Sequence, residues 1–190
     1  MPLATRDPAA AVAEAVRLAA ARPARCGPVR VVAVDGPSGS GKSTLGAAIG
    51  HALDAPVVHM DDIYPGWDGL ADAVPLVTTQ VLAPLSRGEA AAYRRWDWVR
   101  NRWSGHVVPV PPTPLLVLEG VGASVLPAGD YASVCVWLEA DRDVRFARGM
   151  ARDGEAYRPH WERWARQEEA LFLADGTRER ADVILDTSSL

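Results

Sequence analysis

The stretch VDGPSGSGKSTL, residues 34–45, joins an apolar run to a segment that favours a helix. The run before it, VRVVAV at 29–34, is rich in β-branched residues, which is typical of a strand buried on both faces. Gly36, Gly39 and Gly41 stand between strand and helix, where side chains would obstruct a tight turn. The stretch therefore predicts a buried strand, a glycine-rich turn and a helix over residues 43–53.

This turn matches the pattern G-x-x-x-x-G-K-S/T at every fixed position. Its backbone N–H groups and the helix N-terminus predict a site for the phosphates of a nucleoside triphosphate. Lys42 is expected to reach the β- and γ-phosphates, and the Ser43 hydroxyl to coordinate Mg²⁺, so ATP and Mg²⁺ are the predicted cofactors. The predicted nucleotide-binding residues are Gly36, Pro37, Ser38, Gly39, Ser40, Gly41, Lys42, Ser43 and Thr44.

Two acidic residues follow predicted strands further along the chain. Asp61 comes after the strand predicted at 56–60, and Glu119 ends the strand predicted at 115–119. Ligands of open parallel sheets bind at the carboxyl ends of the strands, where an acid could hold Mg²⁺ or accept a proton from a hydroxyl. Asp62 is adjacent to Asp61, and the pattern alone does not separate them.

Apolar strand-like runs alternate with helix-like segments along the whole chain. Strands are predicted at 29–34, 56–60, 115–119, 133–138 and 182–185, and helices at 8–21, 43–53, 74–85, 141–152 and 160–173. This alternation predicts an α/β fold with a five-stranded parallel sheet and helices on both faces. We expect one domain over residues 1–190, with an N-terminal helix and connector at 1–28 and a proline-rich connector at 107–114.

The composition excludes several classes of function. The net charge is −4, apolar residues make up 48% and charged residues 23% of the chain, which disfavours a nucleic-acid or membrane surface. Cys26 and Cys135 have no metal-ligand spacing and predict no disulfide framework. The charged N-terminus predicts no signal peptide, so a cytoplasmic protein is expected. The expected partner is a small molecule, and the possibility of a homo-oligomer is left open.

Several segments together resemble the uridine kinase group of P-loop kinases. They are GPSGSGKST at 36–44, MDDIY at 60–64, WDW at 96–98, LEGVGA at 118–123, DVRFARGMARD at 143–153 and RERADVILD at 178–186. The resemblance covers roughly residues 29–186. It implies a three-layer P-loop NTPase fold with strand order 2-3-1-4-5, a short lid at 153–160, and transfer of the γ-phosphoryl group of ATP to a hydroxyl.

The resemblance also implies roles for individual residues. Asp61 would be the base toward the acceptor hydroxyl and lie near Mg²⁺, with Glu119 assisting the metal. Arg148 and Arg152 would neutralise the transferring phosphoryl group, and Asp68 would hold ribose hydroxyls. The substrate-binding residues expected on this basis are Tyr64, Asp68, Trp96, Trp98 and Asn101.

The chain departs from the uridine kinase pattern at three places. Asn101 stands where a histidine is usual, Gly149 replaces the second of two adjacent arginines, and the lid GEAYRPHW is short and weakly charged. We therefore expect weak or absent uridine phosphorylation. A nucleoside is the first acceptor class considered, and a polyol, vitamin-like or specialised metabolite the second.

The stretch YRRWDWVRNRW, residues 93–103, contains three tryptophans and four arginines. It fits an acceptor pocket for a planar or apolar molecule, a solvated arginine face over packed tryptophans, or a nucleic-acid surface, and we favour the first. The alternative to a kinase is a P-loop protein that binds or hydrolyses nucleotide to act on a partner, although the chain contains no N-K-x-D guanine motif. A non-catalytic relative is disfavoured by Lys42, Ser43, Asp61 and Glu119.

Overall fold

The computed structural model describes residues 1–190, apart from the side chain of residue 156. Its strands are β1 (Leu3–Thr5), β2 (Arg30–Asp35), β3 (Val57–His59), β4 (Ala91–Asp97), β5 (Arg102–Val110), β6 (Leu115–Glu119), β7 (Ala132–Glu139) and β8 (Val183–Asp186). Its α-helices are α1 (Pro8–Ala21), α2 (Lys42–Leu53), α3 (Leu70–Val77), α4 (Ala83–Ser86), α5 (Arg142–Asp153) and α6 (Arg158–Asp175). A π-helical turn, Thr78–Leu82, joins α3 to α4, so one helical segment replaces the helix predicted at 74–85.

The predicted α/β fold class is confirmed, and the sheet has one more strand than expected. Its order is β1-β8-β7-β2-β6-β3, with every neighbouring pair parallel. The five predicted strands occupy the predicted order, and β1 adds a sixth at the β8 edge. Leu3 and Ala4 are exposed, so β1 is held by pairing with β8 and carries no buried run that the sequence could reveal.

A second, two-stranded antiparallel sheet is formed by β4 and β5. This hairpin is not evident in the sequence pattern, and the connector predicted at 107–114 is partly wrong because β5 continues to Val110. Half of the residues of β4 and β5 are exposed, and Tyr93 and Val110 are among those that pack into the core. A strand without a continuous apolar face gives a weak alternation pattern, which explains why the hairpin was missed.

The main sheet separates two apolar clusters. Val32 and Val34 of β2 face a cluster with α1 and α2, whereas Val31 and Ala33 face a cluster with α3 and α6. This alternation along one strand is the two-residue period of a sheet that is covered on both faces. In the described part of the chain, no helix combines the length and the apolar character that crossing a membrane requires.

Candidate active site

The turn between β2 and α2 adopts backbone conformations that only glycine takes readily. Gly36, Gly39 and Gly41 have φ angles of 139°, 80° and 94°. A Cβ atom added at Gly39 would lie 2.3 Å from the carbonyl oxygen of Arg145 in α5. The loop therefore wraps closely because these positions lack side chains.

Asp35, the last residue of β2, supports the loop from below. Its carboxylate accepts hydrogen bonds from the backbone N–H groups of Gly36 at 2.7 Å, Gly122 at 2.8 Å and Ser124 at 2.7 Å. The side chain is fully buried. Asp35 thus ties the start of the phosphate loop to the turn that follows β6.

Lys42, the first residue of α2, lies beneath the loop. It is only 8% exposed, and its Nζ donates a hydrogen bond of 3.0 Å to the carbonyl oxygen of Pro37. Burial lowers the pKa of Lys42, and the neighbouring carboxylates of Glu168 and Glu119 oppose this shift. The amine is therefore held against the inner side of the loop.

Glu119 meets two other polar side chains at the carboxyl end of β6. The Ser43 hydroxyl lies 3.3 Å from both of its carboxylate oxygens, and His59 Nδ1 lies 2.5 Å from Oε1. The hydrogen bond to Glu119 raises the pKa of His59. Gly46 lets α2 approach this point, because a Cβ atom there would lie 3.1 Å from the Glu119 Cβ. Sequence reasoning gave His59 no functional place.

The structure distinguishes Asp61 from Asp62. The Asp62 carboxylate is engaged by Arg95 Nε at 2.8 Å and by the Tyr93 hydroxyl at 3.3 Å. The Asp61 side chain is exposed to a cavity, and its backbone oxygen accepts a hydrogen bond of 2.8 Å from Trp98 Nε1. These three contacts also attach the β4–β5 hairpin to the segment after β3.

The pKa of Asp61 is raised, first because the surrounding protein removes water from it and second because Glu119 is a nearby negative charge. Lys42 and Arg152 act in the opposite direction. A carboxyl group with a raised pKa is a better proton acceptor than an ordinary aspartate.

Glu168, on α6, contacts the phosphate loop directly. It is 2% exposed, and its Oε1 accepts a hydrogen bond of 2.7 Å from the backbone N–H of Ser38. Arg145 Nη1 lies 3.7 Å from Glu168 Oε2 and donates to the carbonyl oxygen of Ser38 at 3.2 Å. Sequence reasoning missed Glu168, because one acid within a charged helix carries no local signal.

A cavity of about 710 Å³ extends from the phosphate loop to a group of aromatic side chains. Of the residues predicted from the sequence, it brings together Ser38, Ser43, Asp61, Tyr64, Trp98 and Arg152. The other lining residues are Trp67, Val99, Asp153, Tyr157, His160 and Trp164. Loop residues predicted to bind phosphate therefore share one space with acidic, basic and aromatic groups.

Three predicted substrate-binding residues lie outside this lining. Asp68 is 75% exposed, and its carboxylate pairs with Arg163 Nε at 3.3 Å. Trp96 packs edge-on against Trp103, with ring centroids 5.1 Å apart, and Asn101 is an exposed residue of the hairpin turn with a φ of 48°. The aromatic side chains that line the cavity from these two segments are Trp67 and Trp98 instead.

Arg148 also lies apart from this cavity. Its guanidinium donates to the carbonyl oxygen of Gly39 at 3.3 Å, to the Thr187 oxygen at 2.7 Å and to the Leu190 oxygen at 2.9 Å. It lines a second cavity of about 460 Å³, which also borders Gly41 and Thr44. Arg148 and Arg152 are one helical turn apart, yet they line two different cavities.

The aromatic lining residues of α6 were not predicted as site residues. Tyr157, His160 and Trp164 are spaced by three and four, which places them on one face of a helix. That spacing is visible in the sequence, but it is equally typical of a core stripe. The short lid predicted at 153–160 contains Tyr157 and His160 but not Trp164, and this segment forms a 3₁₀ turn and the start of α6.

No protein-family model matches the sequence, and no curated protein matches it either. Among solved structures, a "possible uridine kinase" from Bacillus stearothermophilus superposes with a TM-score of 0.68 at 20% identity, covering 94% of this chain and 98% of that one. A "putative fructose transport system kinase" from Silicibacter sp. TM1040 gives 0.65 at 21% identity, with coverages of 95% and 99%.

D-glycerate 3-kinase from Cryptococcus neoformans var. grubii gives a TM-score of 0.55 at 12% identity and covers 94% of both chains. At these identities the similarity concerns the fold, and it extends over nearly the whole chain. The fold of this protein is therefore that of the P-loop kinases, and the resemblance to uridine kinase-like proteins is confirmed at the level of the fold.

Proposed function

We propose that this chain is an ATP-dependent kinase that transfers the γ-phosphoryl group to a hydroxyl of a small molecule. The observation that carries the proposal is the shared cavity. It begins at Ser38 and Ser43 of the phosphate loop, contains Asp61 and Arg152, and ends at an aromatic wall. A triphosphate on the loop and an acceptor against that wall would meet at Asp61.

The residues at the carboxyl end of β6 fit Mg²⁺. Ser43 and Glu119 offer a hydroxyl and a carboxylate within 3.3 Å of each other, and Asp61 offers a second carboxylate. Hard oxygen donors of this kind suit Mg²⁺, which keeps waters and substrate phosphates as its other ligands. When bound, Mg²⁺ would supply charge neutralisation of the phosphates.

The remaining steps belong to the protein. Backbone N–H groups of the loop and the Lys42 amine hold the β- and γ-phosphates, while Asp61 accepts the proton of the acceptor hydroxyl. The acceptor oxygen forms a bond to the γ-phosphorus as the bond to the bridging oxygen of ADP breaks. Arg152 stabilises the negative charge on the transferring group, which is where phosphoryl transfer gains most of its rate.

We assign the second cavity to the nucleoside of ATP. It borders Gly41 and Thr44, so it adjoins the phosphate loop on the side away from Asp61. Leu138 and Leu185 supply apolar surface, and Arg148 supplies a planar cation that could lie over a base. This arrangement gives Arg148 a donor-side role and leaves the phosphoryl-neutralising role to Arg152.

The aromatic wall favours phosphoryl transfer over the alternative, in which the protein hydrolyses a nucleotide to act on a partner. A protein that uses water as acceptor has no need of a cavity of about 710 Å³ beside its catalytic carboxylate. Such a volume is in the range of small-molecule sites.

The experiment is incubation of the purified protein with Mg²⁺, ATP labelled at the γ-phosphorus, and a panel of hydroxyl compounds. Label that appears in an organic product, and that is lost in Lys42→Ala, supports the proposal. Label that appears only as inorganic phosphate with every compound, at a rate that no compound changes, would contradict it.

A further inference from the structure

The aromatic wall is a cluster assembled around Trp67 from three parts of the chain. The Trp67 ring lies 4.8 Å from the Trp98 ring, 5.5 Å from Tyr157, 4.4 Å from His160 and 5.9 Å from Trp164, measured between centroids. Trp67 and His160 stack with an interplanar angle of 9°. Trp67 and Trp98 are only partly buried, so this wall presents apolar surface to the cavity.

The packing of α5 against the start of α6 leaves room for the Tyr157 ring. Tyr157 is 2% exposed, and a Cβ atom added at Gly149 would lie 2.8 Å from its Cε1. Any larger residue at Gly149 would displace the tyrosine. The sequence thus accommodates an aromatic ring at the point where α5 passes the cavity.

The charges of the cavity do not favour an anionic acceptor. Its only guanidinium among the described lining residues, that of Arg152, is paired with Asp153 by bonds of 2.7 and 2.9 Å, and Asp61 adds a second carboxylate. Burial and Arg163 lower the pKa of His160, so its ring stays neutral near pH 7. A carboxylate or phosphate on the acceptor would meet two acids and a single guanidinium, Arg152, to which the proposed function already gives the transferring phosphoryl group.

The cavity also lacks a carboxylate for a sugar diol on the aromatic side. Asp68, the expected diol ligand, is exposed and paired with Arg163. Asp153, at the opposite wall, is bound by Arg152. Trp164 Nε1 is a buried donor with no hydrogen-bond partner among the described residues, and Trp67 and Trp98 supply stacking surface.

From this combination we infer that the acceptor is an uncharged hydroxyl compound with a flat, apolar body, which stacks against Trp67 and Trp98 and presents its hydroxyl to Asp61. The inference rests on the proposed kinase function, because the hydroxyl proton passes to Asp61 as its oxygen bonds to the γ-phosphorus and ADP leaves. It excludes sugars and carboxylated alcohols as preferred acceptors.

The test uses four defined probes: 2-(2-naphthyl)ethanol, uridine, D-fructose and D-glycerate. Binding of each to the full chain is measured by calorimetry without ATP, and transfer by ADP release with ATP and Mg²⁺. We expect 2-(2-naphthyl)ethanol to bind at least about tenfold more tightly than the other three.

Three variants locate the binding. Trp98→Ala should weaken binding of 2-(2-naphthyl)ethanol by about fivefold or more, since it removes a stacking ring. Trp98→Phe keeps a ring but loses the bond to the Asp61 oxygen, and it should stay within about threefold of the parent. Trp103→Ala, on the same hairpin but outside the lining, should bind as the parent does.

The outcomes separate this inference from the proposed function. Trp98-dependent binding of 2-(2-naphthyl)ethanol without ADP release would uphold a flat, apolar ligand for this cavity and count against the kinase. ADP release with D-fructose, D-glycerate or uridine in preference to 2-(2-naphthyl)ethanol would uphold the kinase and overturn the acceptor class. Failure of 2-(2-naphthyl)ethanol to bind, or binding that Trp98→Ala leaves unchanged, would also overturn it.

Discussion

The carboxylate of Glu168 accepts a hydrogen bond of 2.7 Å from the backbone N–H of Ser38, so helix α6 holds the apex of the phosphate loop. Arg145 of α5 completes the link by contacting both the Ser38 oxygen and Glu168. The two helices that line the cavity therefore also position the loop, so the aromatic wall and the loop are parts of one unit.

Glu168→Leu should lower the free energy of unfolding by about 3–5 kcal/mol, because it removes the acceptor of the Ser38 N–H and leaves the largely buried guanidinium of Arg145 without its carboxylate partner. Urea unfolding measures the change. Glu169→Leu is the matched control, since Glu169 is exposed on the same helix and its replacement should cost less than about 0.5 kcal/mol. Equal, small losses in the two variants would show that the link contributes nothing.

Lys42→Met should abolish phosphoryl transfer and leave the fold intact. The amine is buried and its pKa is lowered by that burial, so without nucleotide its charge costs free energy in the folded state. We expect turnover to fall by at least about 10²-fold, with no decrease in the thermal midpoint. A variant that turns over at the parent rate would contradict the assignment of the loop as the phosphate site.

Asp61→Asn should keep nucleotide binding and reduce transfer by about 10²–10⁴-fold, because an amide cannot accept the hydroxyl proton. Asp62→Asn serves as the control. Its carboxylate is engaged by Arg95 and Tyr93, so the change should lower the free energy of unfolding and leave turnover close to that of the parent. Steady-state kinetics of both variants decide the matter, and a larger kinetic defect in Asp62→Asn would move the base by one residue.

Arg152→Met and Arg148→Met should fail in different ways. Arg152 lines the cavity, so its loss should reduce kcat by about 10²-fold or more. Arg148 lines the second cavity and binds Thr187, so its loss should raise the KM for ATP with a smaller change in kcat. Steady-state kinetics of both variants give kcat and the KM for ATP. The same pattern of change in the two variants would contradict the assignment of separate roles to Arg152 and Arg148.

Asp68→Ala should change turnover by less than about threefold. An exposed pair such as Asp68–Arg163 contributes little, typically below 1 kcal/mol, and the residue lies outside the cavity lining. Steady-state kinetics of the variant with the best acceptor of the panel test this. The same assay of the parent protein with uridine tests our expectation of weak or absent uridine phosphorylation. A large rise in the acceptor KM would place a substrate hydroxyl at Asp68.

The phosphate loop and most of the parallel sheet were predictable from the sequence, since their signals are local. A β-branched run, three glycines and a lysine in fixed order describe one continuous turn, whose backbone needs those residues wherever it occurs. The strand ending at Glu119 is equally evident, because burial on both faces leaves a continuous apolar run.

Only the tertiary structure decided which side chains share the cavity. Trp67, Trp98 and Tyr157 are distant in sequence and meet because the hairpin is attached to the segment after β3 while α6 packs across it. The choice between Asp61 and Asp62 likewise depends on Arg95, which belongs to that unpredicted hairpin. The sequence pattern of a strand or helix shows which of its faces is buried. The direction of a polar side chain, in contrast, depends on hydrogen-bond and ion-pair partners that other elements supply.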